Sequence, residues 1–273
     1  MKPTVAIVGI GLIGGSLGQA LRRSKRYRVL GIARRPSTLF DAKHRGAIDS
    51  GSTRLSDVHQ ADIIVLATPV DSIAPLVQKL KPYLKLRAIV TDVGSVKGIL
   101  DRRIRGVRYV GAHPLAGSHK TGVKAARPDL FRGATCVLVP QDPSAAGAVR
   151  AMWKTAGARV LVMSAQAHDA AVALTSHLPH LLAHALVSVV AQQPNQKVLK
   201  SLMAGSFRDI TRVASSDPDQ WAQIFRANLK HLRHGIRLFQ KQLIHFDAEL
   251  SRPSLRRALK TSRDYRQPLF NVR

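Results

Sequence analysis

The first sixteen residues constrain the fold most. Val5-Ala6-Ile7-Val8 is an apolar run of strand length that breaks into Gly9-Ile10-Gly11-Leu12-Ile13-Gly14-Gly15-Ser16, after which Leu17, Ala20 and Leu21 recur at helical spacing. A strand, a glycine turn spaced G-x-G-x-x-G and a helix together make the opening of a dinucleotide-binding βαβ unit. Gly9 permits the turn, Gly11 lets the backbone approach a pyrophosphate, and Gly14 lets the helix pack close to the strand. The helix N-terminus turns unpaired N–H groups toward the phosphates. Gly9, Gly11, Leu12, Ile13 and Gly14 are therefore the candidate cofactor cradle. A glycine-rich turn that is only a turn is the competing reading, and the position between strand and helix favours the cofactor.

Further apolar runs follow at the rhythm of a doubly wound sheet: Arg28–Ala33, Ala61–Leu66, Arg87–Asp92, Tyr109–Pro114, Ala134–Val139 and Arg159–Val162, with helical patterns between the early ones. From Ser164 the texture changes, because β-rich runs stop. Helical periodicity is expected over His168–Gln193 with an interruption at Leu178-Pro179, over Gln196–Ala204, and over Pro218–Glu249. The fold expected is α/β: a Rossmann-like domain over 1–163, then an all-α segment over 164–250, then a basic tail over 251–273 without regular structure. Long apolar helices such as Leu178–Val190 need a partner, and a homodimer through the helical segment is the natural one.

The second strand runs into Arg34-Arg35-Pro36-Ser37-Thr38, where NAD-binding units commonly carry an acid for the adenosine ribose. A carboxylate there repels a 2′-phosphate, whereas Arg34, Arg35 and Ser37 suit one. NADP is therefore favoured over NAD, although the chain is rich in arginine everywhere. Thr68 and Pro69, just past a strand end, join the cofactor candidates.

Lys and Arg number 43 against 16 Asp and Glu, a formal charge of +27. Such a field attracts anions, dicarboxylate substrates among them. Aromatics are only 5% and the basic residues are dispersed, which argues against a base-stacking platform and makes a nucleic-acid role unexpected. The lone Cys136 sits in an apolar run and reads as a buried thiol in a reducing, cytoplasmic setting. No secretory leader and no unbroken apolar run of membrane length is expected.

Chemistry gathers after strand ends. His113 is followed by Pro-Leu-Ala-Gly-Ser118 and is placed to act as a general base, although a lone histidine is more often structural. Ser95 is a candidate hydrogen-bonding partner of a substrate hydroxyl or of the imidazole, or a helix cap. Lys97 is a candidate substrate or phosphate contact, and Ser118 a further substrate contact. In the helical segment, Ser176-His-Leu-Pro-His180 sets two histidines about a turn apart, with no third metal ligand in evidence, so no metal is expected. Arg208 and Arg212 lie four residues apart, a spacing that suits a carboxylate clamp or a solvated face.

Together, Gly9–Ser16, Thr68-Pro69, Asp92-Val-Gly-Ser-Val-Lys97, His113–Ser118, Ser176–His180, Gly205-Ser-Phe-Arg-Asp-Ile-Thr-Arg212 and Asp217-Pro-x-x-Trp221 resemble, in this order, the prephenate/arogenate dehydrogenases of tyrosine biosynthesis. The resemblance implies a helical dimerisation domain like the C-terminal part of 6-phosphogluconate dehydrogenase, and oxidative decarboxylation of prephenate or arogenate with hydride passing to NADP or NAD. It makes His113 the catalytic histidine, Ser95 its neighbour at the substrate hydroxyl, Arg212 the carboxylate-holding arginine and His180 a substrate contact from the helical domain. Arg208 stands where the family has Lys or Arg. His119 departs from the acidic residue of many members. No mutase segment ahead of the loop and no regulatory domain behind the tail is expected. Another β-hydroxyacid-dehydrogenase-like oxidoreductase, or a basic binding protein built on a nucleotide fold, are the alternatives.

Overall fold

The computed structural model describes residues 2–100, 104–118 and 120–270; His119 lies outside them. The chain runs β1 (Thr4–Val8), α1 (Leu12–Arg23), β2 (Arg28–Ile32), α2 (Pro36–His44), β3 (Ser50–Ser52), β4 (Ile63–Leu66), α3 (Val70–Leu80), β5 (Ile89–Asp92) and β6 (Arg108–Pro114). It continues with β7 (Thr135–Pro140), α4 (Ala146–Thr155), β8 (Arg159–Val162), α5 (Ala165–Val172), α6 (Leu178–Ala191), α7 (Gln196–Leu202), α8 (Gly205–Thr211), α9 (Pro218–Ala227), α10 (Leu229–Glu249) and α11 (Leu255–Phe270).

The eight strands form one sheet in the order β3-β2-β1-β4-β5-β6-β7-β8. Every neighbouring pair is parallel except β6–β7. Strands of period two send alternate side chains to opposite faces, and both faces here are covered. Val5, Ile7, Ile63 and Val65 pack on one side with Phe131 and Trp153, whereas Ala6, Val8, Ile64 and Leu66 pack on the other with Ile73 and Val77. Ile7, Ile64 and Leu66 are fully buried, so truncating any one to alanine would cost about 2–5 kcal/mol. This packing makes the carboxyl edge of β1, β4, β5 and β6 a rigid platform. The expected strands are present, and the short β3, made of Ser-Gly-Ser, is an addition that no apolar run could announce.

The helical part differs in three places. Leu178-Pro179 does not interrupt the helix: α5 passes through a π-helical turn, Ala173–His177, into α6, with Pro179 in the first turn. Proline lacks the N–H that an α-helix interior needs, and a wider turn just before it accommodates the ring. The resulting stretch Ala165–Ala191 has 27 residues and a mean hydropathy of 1.3 in its most apolar window, 28% of that window being buried. By length and composition alone it could cross a membrane, although its two halves, divided at Leu178-Pro179, are each too short to do so. Second, the expected helix Pro218–Glu249 breaks at Asn228, whose φ of −113° and ψ of 29° leave the helical region. Third, the stretch after residue 250 is not irregular: α11 forms over Leu255–Phe270, supported by a Lys260–Asp264 pair at 2.6 Å one turn apart. Its solvated, arginine-rich faces mask the helical period in the sequence.

Packing gathers α5 and α9 with the sheet into one compact unit, residues 1–228, and residues 229–273 form a second. The reason is local. Asp169 of α5 takes backbone hydrogen bonds from Lys97 and Gly98, and Ile224 of α9 is buried in the apolar cluster beside α3.

Candidate active site

At the carboxyl edge of β1 the chain turns on Gly9, at φ +96°, with its N–H donating to Ile32 O at 3.0 Å. A Cβ on Gly9 would lie 2.5 Å from Ala67 O, and one on Gly14 would collide with Gly9 O. Space beside Gly11 is open, with nothing within 4 Å of where a Cβ would stand. Two glycines are thus required for packing and the third leaves an uncovered approach to the N-terminus of α1, which is the cradle a pyrophosphate needs. The residues present fit a dinucleotide.

Gly11, Leu12 and Ile13 line a cavity of about 540 Å³ together with Thr68, Pro69, Ser95, His113 and Ser118. Further wall comes from Lys120, Thr121 and Gly122, from α9 through Gln220, Gln223 and Ile224, and from Asp217, which caps α9 by accepting from Gln220 N at 2.9 Å. Gln223 Oε1 is buried there without a partner. A larger groove, about 1100 Å³, lies at the opposite edge of the sheet among Arg22, Arg23, Lys25, Arg28, Arg45 and Arg127. It is more basic but holds neither the glycine loop nor a candidate base, so the smaller cavity is the site.

Arg34, Arg35 and Ser37 are exposed just past β2, where Arg35 is the N-cap of α2 and Pro36 its first residue. Two guanidiniums at a helix N-terminus, with the nearest following acid at Asp41, form an anion-attracting corner. Thr68 Oγ1 accepts from Ser72 Oγ at 2.9 Å, which orders the start of α3 under the cavity.

His113 is the penultimate residue of β6, where pairing to Val137 of β7 and the Leu115 N–H to Thr135 O bond of 2.7 Å fix its backbone. Its Nδ1 is 2.8 Å from His168 Nε2, and His168 Nδ1 is 2.7 Å from Asp169 Oδ1. Burial first, then the Lys97 ammonium, His168 and His177, holds the His113 pKa well below the ordinary imidazole value. Ser95 is half-buried on the same cavity wall. His113 is thereby a neutral imidazole facing a cavity that also holds the glycine cradle.

Lys97 is not where the sequence reading put it. Its side chain is 2% exposed and its Nζ pairs with Asp92 and donates to Ala112 O at 2.6 Å, while the Tyr109 hydroxyl donates to the same Asp92 carboxylate. An ammonium spent inside the sheet does not reach a substrate or a phosphate. Burial and the Asp92 charge also push the Tyr109 hydroxyl well above its usual range.

The helical candidates form a second group. His180 stacks on Trp221 with centroids 3.5 Å apart and rings within 20° of parallel, and its Nδ1 is 3.0 Å from Ser176 O. Burial lowers the His180 pKa, the bond to the Ser176 carbonyl opposes it, and the charges of His184 and Arg212 add to the lowering. Arg208 is exposed and its contact is Asp209 at 4.0 Å. Among the described residues, His180, Arg208 and Arg212 do not line the 540 Å³ cavity; Trp221 of α9, the helix that supplies part of its wall, joins His180 to it. Sequence reasoning missed His168, Asp169 and Asn228, whose Nδ2 donates to Asp169 O at 2.7 Å and lies 3.1 Å from His177 Nδ1. The adjacent His-Asp pair opening an apolar helix was the available signal.

The profile described as "Prephenate dehydrogenase, nucleotide-binding domain" matches residues 17–162, and "Prephenate dehydrogenase, dimerization domain" matches 164–261. The prephenate dehydrogenase of Bacillus subtilis strain 168 is 34% identical, over 98% of this chain and 76% of that protein. The crystal structure of prephenate dehydrogenase from Aquifex aeolicus, in complex with hydroxyphenyl propionate and NAD+, is 33% identical with a TM-score of 0.89, covering 98% of this chain and 99% of that one. Synechocystis arogenate dehydrogenase is 31% identical with a TM-score of 0.85, covering 97% and 99%. With a glycine cradle for a nicotinamide nucleotide and a neutral histidine in one cavity, the chain belongs to the prephenate dehydrogenase family.

Proposed function

We propose that this protein oxidatively decarboxylates prephenate or arogenate, with NADP as the preferred hydride acceptor. The observation that carries the reading is the shared cavity of His113, Ser95 and the glycine loop. The nicotinamide ring supplies a hydride acceptor at the carbon that bears the substrate's hydroxyl. His113, neutral at physiological pH, accepts the hydroxyl proton as that carbon becomes a carbonyl, and Ser95 orients the same oxygen. Loss of carbon dioxide then restores an aromatic ring, so the chain's task is alignment rather than a large rate-limiting stabilisation of charge.

Arg212, whose charge acts on His180, is read as the holder of a substrate carboxylate, with Arg208 as a further positive charge on the same segment and Ser118 as a contact on the cavity wall. Arg34, Arg35 and Ser37 at the start of α2 support a 2′-phosphate, hence NADP over NAD. Residues 1–163 are read as the nucleotide-binding part and 164–250 as the substrate and dimerisation part.

A homodimer through the helical part is supported by the apolar residues it exposes, among them Val189, Val198, Leu202 and Ile210. The buried His168, Asp169 and His177 on Ala165–Ala191 make burial of that stretch in lipid costly, which favours a protein partner and a cytoplasmic enzyme. The reading is tested by steady-state assay of both substrates against both cofactors. Turnover of at least one substrate, faster with NADP, is expected; turnover of neither contradicts it.

A further inference from the structure

The geometry points to His168 as a positioning residue that fixes which nitrogen of His113 carries the proton, through a chain from His113 to His168 to Asp169. The inference rests on the reading of His113 as the base.

The argument starts at the acid. Asp169 is nearly buried and accepts from Lys97 N at 2.8 Å and from Gly98 N at 2.7 Å, one at each oxygen. Burial alone would raise its pKa, but the His168 bond and these two backbone bonds outweigh it and hold the carboxyl below its usual value. A carboxylate only accepts, so His168 Nδ1, 2.7 Å from Asp169 Oδ1, is the donor and bears hydrogen. In neutral His168 the other nitrogen, Nε2, then holds a lone pair. That lone pair is 2.8 Å from His113 Nδ1, which must therefore donate to it. The opposite tautomer of His113 would set two lone pairs against each other. His113 Nε2 is left bare toward the cavity, as a base requires.

The same chain acts after the proton moves. The substrate hydroxyl proton goes to His113 Nε2, the hydroxyl's bonding pair stays on oxygen to form the carbonyl, and the hydride goes to the nicotinamide. The imidazolium so formed keeps its Nδ1–H bond to His168, now charge-assisted, with the Asp169 charge one ring further away. No proton has to leave the three residues. Interposing an imidazole keeps an anion off the base itself, so His113 stays neutral and ready. The rings meet edge to edge through these two nitrogens, with centroids 5.0 Å apart and planes twisted by 75°, a geometry that suits an in-plane N–H meeting an in-plane lone pair. Asp169 also ties down the turn after Ser95 through Lys97 N and Gly98 N, so one carboxylate holds both residues of the substrate hydroxyl site.

The test combines a spectrum with two variants. Imidazole nitrogen spectra of the ¹⁵N-labelled wild type, with His113 assigned by its loss in His113→Asn, should show hydrogen on Nδ1 and a bare Nε2 at neutral pH. His168→Phe keeps a ring but neither accepts nor donates. It should lower kcat at least about 10²-fold, toward the roughly 10⁴-fold lost when a catalytic imidazole is deprived of the group that fixes its tautomer, with KM for substrate and cofactor within about threefold. His168→Gln retains an acceptor for His113 and a donor for Asp169, and should recover at least about tenfold over His168→Phe. A wild-type spectrum with the proton on Nε2 overturns the inference, and this measurement stands even if His168→Phe does not fold. Turnover retained in His113→Asn overturns the base and the relay together. An inactive His113→Asn beside a fully active His168→Phe overturns the relay alone.

Discussion

His113 Nδ1 and His168 Nε2 stand 2.8 Å apart although 55 residues of chain separate them. One ring stands near the end of a strand in the middle of the sheet and the other opens the first helix after it, so the contact joins the cofactor-binding sheet to the helical segment at the reacting atoms. Together with the Asp169 bonds to Lys97 N and Gly98 N, it explains why α5 packs with the sheet unit rather than apart from it.

Cofactor choice should be movable at the α2 corner. Arg34→Asp combined with Arg35→Ala replaces two phosphate-binding cations by a carboxylate that repels a 2′-phosphate. The ratio of kcat/KM for NADP to that for NAD should fall by about 10²-fold, equivalent to about 3 kcal/mol. An unchanged ratio places the discrimination elsewhere.

Lys97 should behave as a structural cation. Lys97→Met leaves the buried Asp92 carboxylate without its cation, and breaking a buried pair from one side costs about 3–5 kcal/mol. Urea denaturation should show that loss in the midpoint. A variant of wild-type stability with only a raised substrate KM would return Lys97 to the role the sequence suggested.

The pH dependence has two parts with defined signs. His113 works as the neutral form and its pKa lies well below the ordinary 6.5, so kcat/KM should stay level as pH falls through 6.5 and drop only further down. His177 has its pKa lowered to about 4 against 6.5, by burial first and by the His168 and His180 charges, with Asp169 opposing. The unfolded state therefore binds more protons between those values. Stability should be constant above pH 6.5 and decline toward pH 4, by roughly 3 kcal/mol from this one group. Urea midpoints measured across that range should lose part of their slope in His177→Gln.

Arg212→Ala should weaken capture of the substrate rather than the chemical step. A charge-assisted carboxylate contact made in both ground and transition states appears in KM, and a rise of about 10- to 100-fold with kcat changed less is expected. A fall in kcat at constant KM would assign Arg212 to the reacting centre instead.

The sequence made the sheet legible because its strands are buried on both faces and read as unbroken apolar runs bounded by Gly, Pro or Asp. The glycine loop was legible because only glycine tolerates Gly9's φ of +96° and the contacts at Gly14. Lys97 was misread because a cation after a strand end looks the same in sequence whether it faces a ligand or turns back onto Asp92. His168 and Asp169 escaped notice because an adjacent His-Asp pair near the start of an apolar helix is only a weak signal, and the partners that give it meaning lie 55 and 72 residues away in the chain. The helix Ala165–Ala191 was cut at Pro179 because a proline inside a helical pattern ordinarily ends it, and the π turn that accommodates it leaves no mark in the residue spacing.

The central claim, that His113 takes the substrate's proton beside the nicotinamide, is tested most directly by His113→Asn. The account predicts that hydride transfer from prephenate or arogenate, followed at the reduced-nicotinamide absorbance, falls by at least about 10³-fold, while the dissociation constant for the cofactor stays within about threefold. Wild-type turnover in this variant, with the fold intact, would contradict it.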